Sequence, residues 1–327
     1  MKLFAFAARE YDEVPYFEKL SRQLGFEFGW TADYPTVANA HLADGYDVLS
    51  IITNPMTPEL LAAYKQMGIK GIATRSIGYD HIDVAAAHEL GIRLAHASYP
   101  PEGVADYTVM MILMALRKVK FVESAARYQD FGLEGKIGRS LCSCTVGVIG
   151  TGAIGTAVCK RLSSFGCRIL ANDPHEKPAL RGIVEYVDNK TLLSTSDVIT
   201  LHAPGLPCND HMIGAAQFAQ MKKGVVLVNA ARGALVDTQA LIDAVESGHV
   251  GAAALDTIEH EANLYYQDKT REVLPNRDRA VLMSYPNVLV TPHMAFYTEE
   301  AVENMVKTNV EALIAFDRGE ATTHEIR

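Results

Sequence analysis

Cysteine is scarce and unpatterned. The chain has five, an odd number, at spacings that match no disulfide or zinc framework. Cys142 and Cys144 flank a serine, but no histidine or further cysteine pair completes a metal set. No metal is expected, and the thiols read as reduced, structural groups of a cytoplasmic protein. Long apolar runs are missing too: none reaches the roughly 20 residues of a membrane span. The N-terminal run MKLFAFAAREYDE is broken by Arg9, Glu10 and Asp12, too early for a secretory signal. No block of like charge occurs. With a net charge of −9, the chain offers nucleic acid or an acidic membrane no basic surface. A small anion is another matter, because one well-placed arginine can outweigh a diffuse negative surface. Internal repeats and low-complexity tracts are also absent.

What is present is a patterned globular sequence. At 327 residues and 49% hydrophobic, it can bury two cores of ordinary size. β-rich runs (KLFAFA, FEFGWTA, DVLSII, KGIAT, IRLAHA) alternate with segments of helical spacing such as Val14–Leu24 and Pro58–Met67. Strands separated by helices imply a parallel sheet with right-handed crossovers, and five strands fit within about the first 97 residues. Next comes YPPEGVADYTVMMILMALRKVKFVESAARY, where Pro100 and Pro101 suit a helix's first turn. Its apolar run is too continuous for a surface helix, so its methionines belong to a core or a subunit interface. This helix reads as a bridge between domains.

After TVGVIGTGAIG the alternation restarts in CRILAND, IVEYV, DVITLHAP, GVVLVNAARG, GAAALDTIE and NVLVTPH, giving about seven strands. The last helix, Thr298–Arg318, follows a strand that already closes the second sheet, and so is free to return to the first domain. The expected fold class is α/β, with two Rossmann-like or flavodoxin-like domains built on parallel sheets. A nucleotide domain, 99–297, would be inserted into a discontinuous substrate-binding domain, 1–98 and 298–327. Two crossings between them would form a hinge, with a ligand cleft between the domains.

Gly150, Gly152 and Gly155 give the spacing GxGxxG directly after a buried strand. Such glycines serve a tight turn, a close backbone approach to pyrophosphate, and helix–strand packing, with the helix N-terminus facing the phosphates. The spacing alone is weak evidence. Here a helical pattern follows (Ala157, Val158, Leu162, Phe165), and Asp173 ends the next strand, where it can bind the adenine ribose hydroxyls. An aspartate there would repel a 2′-phosphate, which favours NAD over NADP. A Rossmann-like fold without a dinucleotide is the alternative.

Three further segments place polar residues just after buried strands. Arg232 follows one in VLVNAARGALVD, with Gly233 beside it allowing a sharp turn. Asp256, Glu259 and Glu261 follow the next strand in AALDTIEHE, and His293 follows the last in VLVTPHMAF. Singly, these could be a structural ion pair, solvated loop acids and a core histidine. Together they form a carboxylate fork, an acid and a proton donor. Reduction of a keto group requires a proton at the carbonyl oxygen, and histidine suits that task near neutrality.

The segments TRSIGYDHID, VGVIGTGAIG, VNAARGALVD, ALDTIEHE and NVLVTPHMAFYTEEAV, in this order, resemble the D-2-hydroxyacid dehydrogenases over essentially the whole chain. TRSIG, HID, VADYT and ILMA are most similar to the D-lactate dehydrogenase branch, including the enzyme of vancomycin resistance. Related sequences include 2-hydroxyisocaproate and (R)-2-hydroxyglutarate dehydrogenases. The resemblance implies that Arg232 binds the substrate carboxylate, Glu261 pairs with the histidine, and His293 is the acid/base. It implies NAD contacts at Gly150, Gly152, Ala153, Ile154, Gly155, Asp173, Ala203, Pro204, Asn209, Ala230, Ala231, Arg232 and Asp256. It also implies that the backbone of Ser76, Ile77 and Gly78 holds the substrate carboxylate and that Tyr99 and Phe296 line the substrate pocket. A homodimer through the nucleotide domain is expected as well.

Two departures qualify the likeness. The vancomycin-resistance enzyme lacks an acid at the position of Asp173, so its cofactor preference does not carry over. The segment Asn263–Pro286 is longer than in the phosphoglycerate and formate branches, which favours the lactate-like branch. The expected reaction is NAD-dependent reduction of a 2-keto acid to the D-2-hydroxy acid, with pyruvate leading. A larger keto acid (2-ketoisocaproate, phenylpyruvate or 2-oxoglutarate) is the alternative, with Arg75 or Arg9 open as ligands for a second carboxylate. A reading from another class is an NAD-sensing corepressor. Such relatives carry extra tails, whereas this chain ends at Arg327, soon after its last helix.

Overall fold

The computed structural model describes residues 1–261 and 264–327. The chain divides into two compact units, Met1–Pro100 with Tyr297–Arg327, and Pro101–Phe296.

In the first unit the chain runs β1 (Lys2–Ala5), α1 (Val14–Leu24), β2 (Glu27–Trp30), β3 (Val48–Ile51), α2 (Pro58–Gln66), β4 (Gly71–Thr74), α3 (Val84–Glu89) and β5 (Arg93–His96). Local chemistry sets these bounds. Pro15 occupies the first turn of α1, and Gly25 closes the helix in the left-handed region at φ 72°. Thr57 and Asp83 cap the starts of α2 and α3 by accepting the amides of Leu60 and Ala86. The strands lie in the order β2-β1-β3-β4-β5 and are all parallel. This is a doubly wound arrangement whose strand order reverses between β1 and β3.

The second unit opens with α4 (Glu102–Leu116) and α5 (Val119–Arg127). The single long helix suggested by the apolar run is two helices. Lys118 adopts the left-handed conformation at φ 53° and breaks the hydrogen-bond ladder there. Within the run Met111 is buried and Met110 is exposed. There follow β6 (Thr145–Ile149), α6 (Ala153–Ser163), β7 (Arg168–Asn172), β8 (Glu185–Tyr186), α7 (Asn189–Thr195), β9 (Val198–Leu201), α8 (Ala215–Phe218), β10 (Val225–Asn229), α9 (Thr238–Glu246), β11 (Val250–Leu255), α10 (Arg277–Ser284) and β12 (Val288–Val290).

These seven strands form one parallel sheet in the order β12-β11-β10-β9-β6-β7-β8. Successive strands first add on one side of β6 and then on the other, which puts the reversal between β6 and β9. The sheet is buried on both faces. Val146, Val148 and Val228 pack with Val109 and Ile112 of α4 and Val158 of α6, whereas Leu201, Leu227 and Leu255 pack with Leu241 and Val245 of α9. Burial on both faces explains why these strands read as continuous apolar runs. Of the long segment Asn263–Pro286, Asn263 lies outside the described residues, and the rest carries α10.

The chain then returns to the first unit as α11 (Glu299–Asp317), capped by Thr298, and β13 (Glu325–Ile326). Val306, Val310, Leu313 and Phe316 of α11 pack with Leu3 of β1 and Phe17 of α1. Each such side chain contributes about 1.5–3 kcal/mol on burial. β13 adds a sixth, antiparallel strand to the first sheet, pairing Ile326 with Leu94. Arg93 grips Glu325 through two hydrogen bonds of 2.8 Å. Two residues are too few to show a period, so this strand left no trace in the sequence. Among the described residues no helix is long and apolar enough to cross a membrane.

Candidate active site

Open α/β sheets bind ligands beyond the carboxyl ends of their strands, at the point where strand order reverses. In the second unit β6 leads there directly into the glycine loop, and each glycine has a distinct reason. Gly150 has φ +91°, and a Cβ on it would stand 2.7 Å from the His202 carbonyl at the end of β9. A Cβ on Gly155 would collide with the Gly150 carbonyl oxygen, so α6 could not approach its strand. Gly152 has an ordinary φ of −59°, and a Cβ there would meet no protein atom within 4 Å. It is the N-cap of α6, which has no side-chain cap. Its freedom from side chains thus serves no packing inside the protein, and the first-turn amides of α6 are left for an anion. These features fit a dinucleotide pyrophosphate.

Asp173, just past β7, accepts the Thr151 amide at 2.6 Å and the His175 amide at 2.8 Å. Burial works against its charge, but these two amides outweigh it and hold the carboxyl below the usual carboxylate range. The aspartate is therefore ionised beside the loop. Across the reversal, His202 bonds Thr200 Oγ1 through Nε2 at 3.0 Å. Burial pushes its imidazole down to about 4, so it stays neutral. Ala203 and Pro204 follow it, and the Asn209 side chain closes this loop by donating to the Pro204 carbonyl at 2.9 Å.

Arg232 leaves β10 through a turn fixed by the buried Asn229, whose side chain donates to the Arg232 carbonyl at 2.8 Å and accepts the Ala231 amide at 3.1 Å. The Arg232 stem lies against Gly205, where a Cβ would stand 2.9 Å from its Cγ. Gly233 has a different role from the one expected. It does not adopt a positive φ; a Cβ on it would collide with the Ile258 carbonyl, so glycine is needed for close packing of the neighbouring loop. Ala230 and Ala231 are partly buried on opposite faces of the sheet.

His293 and Glu261 meet, with Nδ1 lying 2.7 Å from Glu261 Oε1. Glu261 Oε2 accepts the Ile258 amide at 3.0 Å, which fixes the carboxylate, and hence the ring. With Nδ1 engaged, Nε2 is the nitrogen that can meet a substrate. His293 sits in the left-handed region at φ 55°, unusual for a residue with a side chain. Its amide donates to the Asp256 carbonyl at 2.8 Å. The fully buried Asp256 carboxylate accepts the amides of Met294 at 2.9 Å and Ala295 at 2.8 Å and the Thr291 hydroxyl at 2.5 Å. Asp256, read from sequence as a cofactor contact, thus has its side chain turned into the turn that carries His293. Beside the imidazole, Tyr266 and Phe296 meet edge to face with centroids 6.0 Å apart, and the Tyr266 hydroxyl donates to the His293 carbonyl at 3.1 Å.

Glu259 does not face His293. It binds His211 Nε2 at 2.7 Å and the Thr238 amide at 2.8 Å. Sequence reasoning missed His211 altogether, since its partner is 48 residues away.

In the first unit, Ser76 bonds Thr74 Oγ1 at 2.7 Å and donates to the Gly78 carbonyl at 2.7 Å, curling the loop after β4. Among the described residues of this unit, the amides of Ser76, Ile77 and Gly78 donate to no backbone or side-chain acceptor. Arg75 is not available to a second substrate carboxylate. It is fully buried, with Nε on Glu13 at 2.8 Å, Nη1 on Ser50 and Nη2 on the carbonyls of Phe6 and Ala7. Arg9 is likewise committed, to Asp12 at 2.9 Å and Glu13 at 3.3 Å, and it lies over the Tyr297 ring. All five cysteines are free, Cys142 and Cys208 being exposed.

A doubly wound sheet with this glycine loop and a hydrogen-bonded imidazole–carboxylate pair at its carboxyl edge defines a dinucleotide-dependent oxidoreductase. The comparisons with known proteins make the class specific. Residues 109–295 match the D-isomer specific 2-hydroxyacid dehydrogenase, NAD binding domain. The chain is 40% identical over 320 residues to an aromatic 2-oxoacid reductase of Clostridium sporogenes, covering 97% of this chain and 96% of that one. It is 37% identical over 333 residues to a D-lactate dehydrogenase of Escherichia coli, covering 100% of both. Among solved structures, a D-lactate dehydrogenase from Treponema pallidum superposes with a TM-score of 0.89 at 34% identity, covering 100% of each chain. The chain belongs to the D-isomer specific 2-hydroxyacid dehydrogenases, NAD-dependent oxidoreductases, and its second unit carries their NAD binding domain.

Proposed function

We propose that this protein reduces a small apolar 2-oxo acid, pyruvate foremost, to the D-2-hydroxy acid, with His293 as proton donor, Glu261 as its partner and Arg232 as the carboxylate fork. The observation that carries this reading is the 2.7 Å pairing of His293 Nδ1 with Glu261, which leaves Nε2 as the nitrogen to meet a substrate. The glycine loop, the first turn of α6 and Asp173 hold the dinucleotide, and Asp173 favours NADH over NADPH. When bound, the dinucleotide supplies the hydride that C2 receives. His293 Nε2 gives its proton to the C2 oxygen as negative charge develops there, and the Glu261 carboxylate stabilises the imidazolium until then. Arg232 fixes the plane of the substrate carboxylate through two parallel hydrogen bonds, which sets the face of C2 presented to hydride. The amides of Ser76, Ile77 and Gly78 are further donors for that carboxylate, and Tyr99 and Phe296 further lining of the pocket. In the reverse direction the neutral imidazole takes the hydroxyl proton.

The edge-to-face rings of Tyr266 and Phe296 beside His293 favour a second reading, an aromatic 2-oxo acid such as phenylpyruvate, in line with the Clostridium sporogenes relative. A panel of 2-oxo acids assayed by NADH oxidation, with chiral analysis of the product, tests both. Highest kcat/KM on pyruvate supports the first reading and on phenylpyruvate the second, while predominant L-product would sink either. We also propose a homodimer through the second unit. Met110, Val119, Val122 and Phe165 are exposed on and beside α4 and α5, and Tyr128, Phe131, Leu133 and Ile137 stand out in the segment that follows. So much exposed apolar surface on one side is what a subunit contact covers. Light scattering giving a monomer at micromolar concentration would overturn this.

A further inference from the structure

Two residues before Glu261 stands a second imidazole–carboxylate pair, and its place differs from the first. Glu259 Oε1 holds His211 Nε2 at 2.7 Å, and its other oxygen holds the amide of Thr238, the first residue of α9. His211 belongs to the loop that leaves β9 at the strand-order reversal, where Ala203 N and the His202 carbonyl abut Gly150. The same loop passes under Arg232, with Gly205 against the arginine stem. It is tied down by few bonds. His211 donates its amide to the Ala234 carbonyl at 2.8 Å, Ile213 donates to Leu235 at 3.0 Å and accepts from the Asp237 amide at 3.0 Å, and among the described residues the side-chain tie across to the Glu261 loop is His211–Glu259. On the other side, the Ile258 backbone packs on Gly233 and its amide holds Glu261. Glu259 therefore joins the loop at the dinucleotide crevice, the turn after Arg232 and the loop bearing Glu261.

We propose that His211–Glu259 is a protonation-dependent clamp that sets the affinity of the second unit for dinucleotide and substrate carboxylate, His211 and Glu259 acting as positioning residues. This rests on the functional reading above. The His211 side chain is 51% exposed, so it exchanges protons with bulk solvent. The charged groups facing it are Glu259 from the loop after β11, Asp237 from the start of α9 and Asp210 from its own loop, all acidic. The hydrogen bond to Glu259 is the foremost of the causes that hold its imidazole above the ordinary histidine range. A raised value means that the clamp is closed below that range and opens as pH climbs through the raised value. His293 acts in the chemical step, whereas the clamp acts on binding, so the two are separable.

The test is NADH affinity of the full chain, read by fluorescence from about pH 6 to about pH 9, a span that brackets histidine titration. It is made in the wild type and in a His293→Ala background, where the catalytic imidazole is gone. The expected result is a dissociation constant that rises by about fivefold or more with pH in both. Glu259→Gln and His211→Gln should bind weakly at every pH with no such rise. In turnover, KM for NADH should climb in both variants by a larger factor than kcat falls. Glu259→Gln retains an acceptor for the Thr238 amide, so it decides the matter should His211→Gln fail to fold. A pH-independent affinity in the His293→Ala background, or wild-type affinity in folded Glu259→Gln, would overturn the clamp. Failure of the wild type to bind NADH at any pH would instead sink the functional reading on which it stands.

Discussion

At the strand-order reversal of the first sheet, between β1 and β3, protein fills the crevice. The Arg75 guanidinium takes the carbonyls of Phe6 and Ala7 and the Ser50 hydroxyl, and Glu13 at the start of α1 neutralises it. At the corresponding reversal of the second sheet, between β6 and β9, three glycines keep side chains away and α6 begins without a side-chain cap. The two sheets share a plan but not a use. One inward arginine and one buried glutamate make a closed anchor behind the Ser76–Gly78 loop, whereas glycine in the same place leaves the helix N-terminus uncovered by side chains. Topology offers the crevice, and residues decide whether the chain or a ligand occupies it.

The largest effects should come from the open site. His293→Ala should lower kcat/KM by about 10²- to 10⁴-fold in both directions, the usual contribution of a positioned acid/base. Arg232→Lys keeps the charge but loses the bidentate geometry, at about 2–4 kcal/mol of transition-state binding. Steady-state kinetics check both, and a loss of only a few-fold for the lysine variant would make Arg232 structural. Neither change should lower the unfolding midpoint much.

Breaking the closed site should do the reverse. Glu13→Gln leaves a buried guanidinium without its counter-charge, and urea unfolding should report a loss of about 3–5 kcal/mol. Burial opposes the Glu13 charge, but Arg75 and Arg9 outweigh it and hold its carboxyl below the ordinary range. The pair's contribution is thus complete above the unfolded carboxylate pKa and is lost as pH falls through the lower, folded value. The acid limb of stability should accordingly be shallower in Glu13→Gln than in the wild type.

The glycine loop offers a finer contrast. Gly152→Ala should change stability by no more than about 0.5 kcal/mol yet weaken NADH binding about tenfold, which is 1.4 kcal/mol. Gly155→Ala should lose about 2 kcal/mol of stability, because its methyl strikes the Gly150 carbonyl. Calorimetry on both variants decides the assignment, and equal losses of stability would refute it. Smallest of all, Asp173→Asn retains an oxygen acceptor for one loop amide but removes the charge that repels a 2′-phosphate. The NADH-to-NADPH ratio of kcat/KM should drop roughly tenfold. Equal use of both cofactors by the wild type would remove Asp173 from this role.

Much of this architecture was written in local pattern. The bounds of α1 and the positions of β1 to β12 follow from apolar runs and turn residues, because period and punctuation are properties of neighbouring residues. His293, picked out by strand-end position, and Glu261, one of three acids after its strand and singled out by the family resemblance, lie within hydrogen-bonding distance. What local pattern could not carry was partnership at long range. Arg75 reads as a candidate ligand until Glu13, 62 residues away, claims it, and Asp256 reads as a cofactor contact until its carboxylate meets the amides of Met294 and Ala295. Gly233 looked like a turn residue, but its need for a bare Cα arises from Ile258, on another strand's loop. Lys118 carries no helix-breaking signature, so only the structure divides α4 from α5.

The position of α11 has a consequence for the chain as it is made. Its apolar side covers Leu3 and Phe17, laid down at the other end of synthesis. Between these partners the ribosome must deliver the whole second unit, Pro101–Phe296, before the first sheet receives its cover. At ordinary elongation rates of about 5–20 residues per second, that wait is roughly 10–40 s. The inserted unit, whose segments are contiguous, can therefore finish first, while the earliest-made strands stay uncovered on one face. Nascent chains of this protein should be most vulnerable to aggregation, and most dependent on chaperones, through their oldest hundred residues.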